Sequence, residues 1–496
     1  MMKKFVCFLM VAASFCLGYP SAVMAQENSL ATHNEAYIGA GDIHLTNYIK
    51  KNYLYLGRYN IPSSIVKRNE TWKLIRAIAI YLQNAGLKPS SIYIDTALIS
   101  DSNFEKLWPI MNESGMLSGA KVLSLTNLDQ AKINTMLSNI SALSSVLITN
   151  LSGKNYDPTA LVKQLLSSNP SYLGGIFRGY PLSKKMLDLY HQNTQLAVLG
   201  GDVNQQSAGQ VIQWLKANPD RLQKFYPAFN ADIKGSTIKS VMQAASSQTN
   251  LHRLLVSIAN PDSFSLAAGQ GVAKLITELP KLSLFILTGP VSDQGLTPLA
   301  KALSTYSSLG SITLGFSQVD FSNHDKWLAG ILGNVVVNKL IMRNAGLDDS
   351  EMPAISSAVK QRLLPLVLDL VQNKISNIQD FSALLKSGML PALVVSDAYL
   401  SSQQLDKMDS AGIPILTSGP DKPVILGIDA SIIAQFPGYY FSGGNKRELT
   451  FPTSGLFGVI NSWYGQNQKG IATELDQSLK QSDSSTQDGG LTTFLD

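Results

Sequence analysis

The chain has 496 residues, of which 45% are hydrophobic and only 15% are charged. Typical globular proteins carry about 25% charged residues, so serine, asparagine and glutamine must cover much of this surface. The net charge of +5 at pH 7 is too weak to favour a nucleic-acid partner. The length allows roughly two to four domains, or one long solenoid with an ample core.

An export signal opens the chain. Lys3 and Lys4 precede an apolar run over residues 5–17, and the small residues that end at Ala25 match the site that a signal peptidase cleaves. We expect a signal peptide over residues 1–25 and an exported bacterial protein, periplasmic or extracellular. No later segment has 18 uninterrupted apolar residues, so no membrane span is predicted.

The mature chain is predicted to contain no cysteine, since Cys7 and Cys16 both lie in the leader. Neither a disulfide nor a cysteine–zinc site can then form. Removal of the leader also takes two lysines from 40 basic residues, which leaves 38 against 35 acidic residues, or a net charge of about +3. This balance again argues against a nucleic-acid partner.

A spaced set of apolar residues recurs between residues 72 and 332. Two of them lie two residues apart in a strand, a third follows five residues later, and two more come about eight and twelve residues further on, in a helix. The best copy contains Leu284, Ile286, Val291, Leu299 and Leu303. Other copies contain Ile92, Ile94, Ile99, Leu107 and Met111; Leu196, Val198, Val203, Val211 and Leu215; and Ile312, Leu314, Val319, Trp327 and Ile331.

The copy at residues 284–303 is close to the leucine-rich-repeat consensus, and the alternation of strand, turn and full helix resembles the ribonuclease-inhibitor-like class of that family. The resemblance implies an α/β solenoid over residues 72–332, with parallel strands and outer helices. Residues 26–71 would then cap the first repeat. The consensus asparagine of the turn is absent, because its slot holds Ala97, Thr126, Thr149, Gly201, Gly289 or Ser317. An ordinary α/β domain with crossover helices stays open as the alternative.

The repeat rhythm ends after residue 332. Residues 333–390 have helical periodicity interrupted by two prolines and are predicted to form a helical insert. Strand-like runs then return, so a smaller C-terminal α/β region is expected over residues 391–470. The polar residues 480–496 are expected to form a disordered tail.

Motifs for common chemistry are absent from the sequence. It contains no Gly-x-Ser-x-Gly, no His-Glu-x-x-His, no Gly-x-x-x-x-Gly-Lys-Ser/Thr and no acidic calcium loop. Its five histidines form no ligand set with one another or with Asp and Glu at a helical spacing. The sequence therefore favours a binding protein over an enzyme, and it predicts no cofactor and no metal site.

The strand positions that would face the concave surface of a leucine-rich repeat include several large apolar residues. Side chains alternate along a strand, so the binding candidates are the residues between and beside the inward pair: Tyr93, Arg178, Leu199, Phe229, Phe285 and Leu287. Such a face either binds a hydrophobic or aromatic partner or is covered by the C-terminal region, whereas an ordinary α/β domain would bury both faces. A possible second site joins aromatic and cationic residues around a glycine turn: Tyr439, Tyr440, Asn445, Lys446 and Arg447.

The resemblance implies protein recognition as the function. The sequence thus predicts an exported, monomeric, leucine-rich-repeat-like protein that binds another protein through its concave strand face, with a host target if the organism is a pathogen. The alternative is a secreted or periplasmic hydrolase or solute-binding protein with its site in residues 391–465. Binding residues would be scattered over a strand face, whereas an enzyme needs its groups together in one pocket.

Overall fold

The structure is a computed structural model. It describes residues 38–40, 43–45 and 53–56, single positions between 72 and 88, and residues 91–427 apart from 97–98, 118–119, 121, 127, 141–142, 150–157, 308–310, 323–324, 397–398, 414 and 418–422. The predicted leader, the predicted tail and the possible second site at Tyr439, Tyr440, Asn445, Lys446 and Arg447 lie outside the described residues. Contacts divide the chain into two compact units, with a boundary between Tyr180 and Pro181.

Strands and helices alternate in the first unit. Strands β1 (Ile38–Ala40) and β2 (Ile43–Leu45) form an antiparallel pair. The next strands are parallel, and each pairs with its successor along the chain: β3 (Tyr53–Leu56), β4 (Ser91–Asp95), β5 (Val122–Thr126), β6 (Ser145–Thr149) and β7 (Gly174–Pro181). The intervening helices are α1 (Asp101–Glu113), α2 (Gln130–Asn139) and α3 (Thr159–Ser168).

The second unit continues this alternation. Its parallel strands, again each paired with its successor, are β8 (Val198–Val203), β9 (Lys224–Phe229), β10 (Arg253–Ile258), β11 (Leu284–Thr288), β12 (Ile312–Ser317), β13 (Val337–Arg343), β14 (Val367–Asp369) and β15 (Ala392–Ser396). The last two strands run antiparallel: β17 (Pro423–Leu426) pairs with β15 and with β16 (Ile415–Thr417).

Helices connect the strands of the second unit. They are α4 (Lys184–Gln192), α5 (Ala208–Ala217), α6 (Gly235–Ala245), α7 (Leu266–Glu278), α8 (Asp293–Ser304), α9 (Asp325–Gly333), α10 (Met352–Lys360), α11 (Ser382–Ser387) and α12 (Ser402–Ser410). Short 3-10 turns lie at Pro261–Ser263 and Gln379–Phe381. Because elements that follow one another in the chain are neighbours in space, the fold is α/β in a solenoid-like order.

One row of side chains defines the core of the second unit. Strand–helix–strand crossovers between parallel neighbours are right-handed, so a succession of them places the helices on one face of the sheet. We call that face the helix face and the opposite one the open face. The register joins the following residues along the helix face, each fully buried at 0% exposure: Leu199, Phe225, Leu254, Phe285, Leu314, Leu340, Leu368 and Leu393.

Buried polar side chains join successive repeats at the C-terminal ends of their helices. Asn334 donates from Nδ2 to the carbonyl oxygens of Leu303 at 2.7 Å and Tyr306 at 2.8 Å, both in the preceding repeat. Gln248 and Arg362 bond the preceding repeat in the same way. These bonds satisfy carbonyls that a helix end leaves without an intrahelical partner. Burial lowers the pKa of Arg362 to about 10, which still keeps its guanidinium charged at neutral pH.

The predicted helical insert at 333–390 is wrong. This segment contains strands β13 and β14, with helix α10 between them, and so continues the repeats. The apolar runs that flank α10 read as helical because they belong to strands with apolar residues on both faces, and such runs have no period that separates strand from helix. Strand β15 at the start of the predicted C-terminal region likewise pairs in parallel with β14.

Candidate functional site

The structure places most of the predicted concave-face residues in the core. Leu199, Phe229, Phe285 and Leu287 are at most 1% exposed and lie on the helix face. The prediction that these four side chains face the concave surface is therefore wrong. Arg178 of β7 is half-buried. Tyr93 lies in β4, with its side chain outside the described residues.

The error is one of phase along the strand. Residues 284–287 are apolar at every position, so they show no polar–apolar alternation, as in strands buried on both faces. The sequence pattern assigns Ile286 to the core, but in the structure Ile286 is half-buried on the open face and Phe285 is fully buried. A shift of one residue moves every side chain of a strand to the opposite face.

An asparagine marks the correct phase in the next-to-last parallel strand. Leu368, Leu370 and Asn373 have the spacing of the leucine-rich-repeat strand and its turn asparagine. Asn373 is buried, donates from Nδ2 to the carbonyl of Met342 at 2.6 Å and accepts at Oδ1 from the N–H of Ala345 at 2.8 Å. An asparagine at that spacing is thus present here, and reading back from it places Leu368 correctly on the helix face.

Three rows of open-face side chains cross strands β9, β10 and β11, and we call them together the exposed stretch. A cationic row contains Lys224 and Arg253, which are register partners, followed by Leu284. An apolar row contains Tyr226, Leu255 and Ile286, and a row of small residues contains Ala228, Ser257 and Thr288. The other three, Tyr226, Leu255 and Leu284, are buried, whereas six are half-buried and give the stretch its name: Lys224, Ala228, Arg253, Ser257, Ile286 and Thr288.

The exposed stretch combines three kinds of contact on rigid strands. Adjacent parallel strands are about 4.8 Å apart, so the cations of Lys224 and Arg253 project side by side. Ile286 leans over Gly315 of β12, where an added Cβ would lie 2.9 Å from a γ-carbon of Ile286. Arg is enriched at the centres of protein interfaces. The rows therefore fit a partner with carboxylates beside an apolar patch.

The same face differs at strands β13, β14 and β15. Seven of its open-face side chains there are buried, and only Ser396 at the end of β15 is half-buried; we call the buried ones the covered stretch: Lys339, Ile341, Arg343, Val367, Asp369, Ala392 and Val394. Nε and Nη2 of Arg343 lie 3.0 and 2.6 Å from Oδ2 of Asp369, whose Oδ1 accepts from the N–H of Val371 at 3.2 Å. Lys339 and Asp369 are both 0% exposed.

The first unit has a buried charge cluster with a structural role. Nζ of Lys132 lies 3.0 Å from Asp129 and 3.1 Å from Asp101. Burial raises the pKa of Asp129, but hydrogen bonds from Lys132 outweigh it and hold that pKa below its usual value. Asp129 also accepts from the N–H of Lys132 and so caps helix α2. The cluster therefore joins the start of α2 to the start of α1.

No metal cluster or membrane helix stands out in the part of the chain that the structure describes. Within it, His, Cys, Asp and Glu residues form no group of three or more that could hold a metal ion. The helices in that part are also too short or too polar to cross a membrane.

No known protein family has a model that matches the sequence, and no curated protein matches it. The function is therefore inferred from the residues and geometry of this chain.

Proposed function

We propose that the chain is an exported leucine-rich-repeat-like protein that recognises another protein through the exposed stretch. The observation that carries the proposal is that the half-buried cations of Lys224 and Arg253 lie beside the half-buried aliphatic side chain of Ile286 on adjacent strands. Rigid strands hold these groups in place, so little side-chain and backbone order is lost on binding.

The spacing of the repeats supports the family part of the proposal. Successive helix-face residues are 31 residues apart from Leu254 to Phe285 (285 − 254) and 25 apart from Leu368 to Leu393 (393 − 368). Leucine-rich repeats have periods of about 20–29 residues, so most steps fall in or just beyond that range. The asparagine bonds of Asn373 add the turn feature of the family.

The leader supports the export part of the proposal. A chain exported through this leader would begin near Gln26 and contain no cysteine. Its partner would then be periplasmic or extracellular, and for a pathogen it would be a host protein. Mass spectrometry of the exported chain tests this step, and a mature N-terminus that retains Cys7 or Cys16 would contradict it.

The competing proposal places a hydrolytic or solute-binding site in residues 391–465. This segment contains neither histidine nor cysteine, so a catalytic base or nucleophile there would have to come from other residue types. Its described part belongs to the same ladder of strands as the repeats, through β15 and β17. The exposed stretch therefore has the stronger support.

A photo-crosslinker at matched threonines tests the binding proposal. Thr288 lies in the exposed stretch, whereas Thr277 is exposed on the outer side of helix α7. We expect benzoylphenylalanine at position 288, but not at position 277, to give a discrete crosslinked protein when the producing cells and their medium are irradiated. Equal crosslinking from both positions, or from position 277 alone, would contradict recognition through the exposed stretch.

A further inference from the structure

An exposed apolar patch lies where strands β13 and β14 begin. Six large apolar side chains are exposed among the residues that the structure describes, and three of them occur in the loops that lead into these two strands. Leu363 is 84% exposed, Leu364 is 48% exposed and Val335 is 45% exposed. Single exposed apolar residues are ordinary, whereas a group of them marks a surface that contacts something other than water.

Hydrogen bonds join these loops to each other and to the next one. Arg362 donates from Nη1 to the carbonyl of Asn334 at 2.9 Å and from Nε to the carbonyl of Leu364 at 3.2 Å. The N–H of Leu366 donates to the carbonyl of Met389 at 3.0 Å. Residues 333–336, 360–366 and 386–391, which we call the rim loops, are therefore held together before strands β13, β14 and β15.

The middle rim loop reverses the usual placement of its side chains. Arg362 is buried, while the next residue, Leu363, is the most exposed of the large apolar residues described. An arginine ordinarily keeps its guanidinium group in water, and a leucine is ordinarily buried. Pro365 also restricts its own backbone and that of Leu364. The buried arginine and the proline thus fix a loop that holds both leucines outward.

The charge of the rim loops is entirely positive. Lys360 and Lys386 are exposed in the last turns of helices α10 and α11, and the rim loops contain no Asp or Glu. A lysine near the C-terminus of a helix also interacts favourably with the helix dipole, so the lysines alone do not indicate a ligand. Their position beside outward leucines does, because leucines enter the acyl boundary of a bilayer while lysines contact anionic headgroups.

We propose that the rim loops dock the protein on an anionic lipid surface, with Leu363 and Leu364 inserted and Lys360 and Lys386 among the headgroups. A side chain that is 84% exposed projects from the protein, and a lipid surface receives such a side chain without a shaped pocket. The inference does not rest on the proposed function, because the exposed stretch lies on the open face and the rim loops lie before the N-terminal ends of the strands.

Vesicle sedimentation of the full-length mature protein tests the role of the leucines. Leu363→Ser with Leu364→Ser removes them, and Leu173→Ser with Leu266→Ser is the control at two other exposed leucines. On vesicles of equal parts phosphatidylcholine and phosphatidylglycerol, we expect the first pair to lower the partition coefficient at least about tenfold and the control pair to leave it nearly unchanged. Absence of binding by the parent, or equal losses in both pairs, would overturn the proposal.

Charge reversal tests the role of the lysines on the same vesicles. Lys360→Glu with Lys386→Glu should lower the partition coefficient at least about tenfold. The control is Lys234→Glu with Lys374→Glu, which changes exposed lysines in the loops that follow strands β9 and β14, and it should have little effect. Equal weakening by both pairs would show a general attraction of the protein to anionic lipid and would overturn docking by the rim loops.

A solvent-sensitive fluorophore distinguishes lipid from a second copy of the chain. Bimane can be attached at Leu363→Cys or at Leu266→Cys, because the mature chain is predicted to have no cysteine of its own. We expect the anionic vesicles to shift the emission to the blue at position 363 and not at position 266. A blue shift at position 363 that grows with protein concentration in the absence of vesicles would assign the leucines to self-association and overturn the proposal.

Discussion

The exposed stretch and the covered stretch lie on the same face of one ladder of strands, yet their charged side chains differ in burial. Lys224 and Arg253 are half-buried side by side, whereas Arg343 is buried against Asp369 at 2.6 Å. A pair of neighbouring cations is suited to an acidic partner, while a buried and paired cation is suited to a permanent contact. Under the proposed function, the difference in burial separates the surface for recognition from a part of the same face that is buried within the protein.

The largest effect should come from breaking the ion pair of the covered stretch. Asp369→Ala leaves Arg343 buried without its carboxylate, and removal of one partner of a buried pair costs about 3–5 kcal/mol. Thr288→Ala in the exposed stretch is the control and should stay within about 0.5 kcal/mol. Urea unfolding measures both. If Asp369→Ala lowers the free energy of unfolding as little as the control does, the ion pair is accessible to water.

Core truncation should separate the two faces of a single strand. Phe285→Ala removes a fully buried ring from the helix face and should lower the free energy of unfolding by about 3–5 kcal/mol. Ile286→Ala, one residue further on the half-buried open face, should cost less because part of its surface already contacts water. Equal losses, or a larger loss for Ile286→Ala, would contradict the assignment of faces.

The bonds between helix ends should contribute less than the core. Asn334→Ala leaves the carbonyls of Leu303 and Tyr306 buried without this donor, which costs about 1–3 kcal/mol. Asn250→Ala is the matched control, because Asn250 bonds Asp220 at the surface. Similar midpoints of urea unfolding for the two variants would show that the hydrogen bonds between successive helix ends do not stabilise the repeats.

The smallest effect should appear as a change in acid stability. Burial raises the pKa of Asp349, but hydrogen bonds from Ser376 and Asn377 outweigh it, so this pKa lies below the ordinary value of 3.8. Because the folded-state pKa lies below the unfolded-state pKa, the ionised carboxylate of Asp349 stabilises the fold at pH values above the unfolded-state pKa. This stabilisation is lost as the pH falls through the folded-state pKa. Asp349→Asn should therefore be less stable than the parent at pH 7, and the difference should shrink below about pH 3.8. A difference that grows on acidification would contradict this.

The sequence predicts the alternation of strands and helices well but not the direction of the side chains. Spacing alone finds the strands at Ile92 and Ile312 in their correct phase, because apolar and polar positions there differ on the two faces. It fails at Leu284, where both faces of the strand are apolar, and in residues 333–390, where apolar residues lie on both faces of the strands beside charged ones. Arg343 and Asp369 could not be recognised as buried partners on one face, since their pairing depends on register between strands that are distant in sequence.

The affinity for the protein crosslinked at position 288 tests recognition by the exposed stretch most directly. Lys224→Glu with Arg253→Glu reverses the cationic row, whereas Lys301→Glu with Lys407→Glu makes the same change of charge at exposed positions on helices α8 and α12. We expect the first pair to weaken binding at least about tenfold, equivalent to 1.4 kcal/mol, with a smaller dependence on salt, and the second pair to leave the Kd nearly unchanged. Equal weakening by both pairs, or loss with the helix pair alone, would contradict recognition through this face.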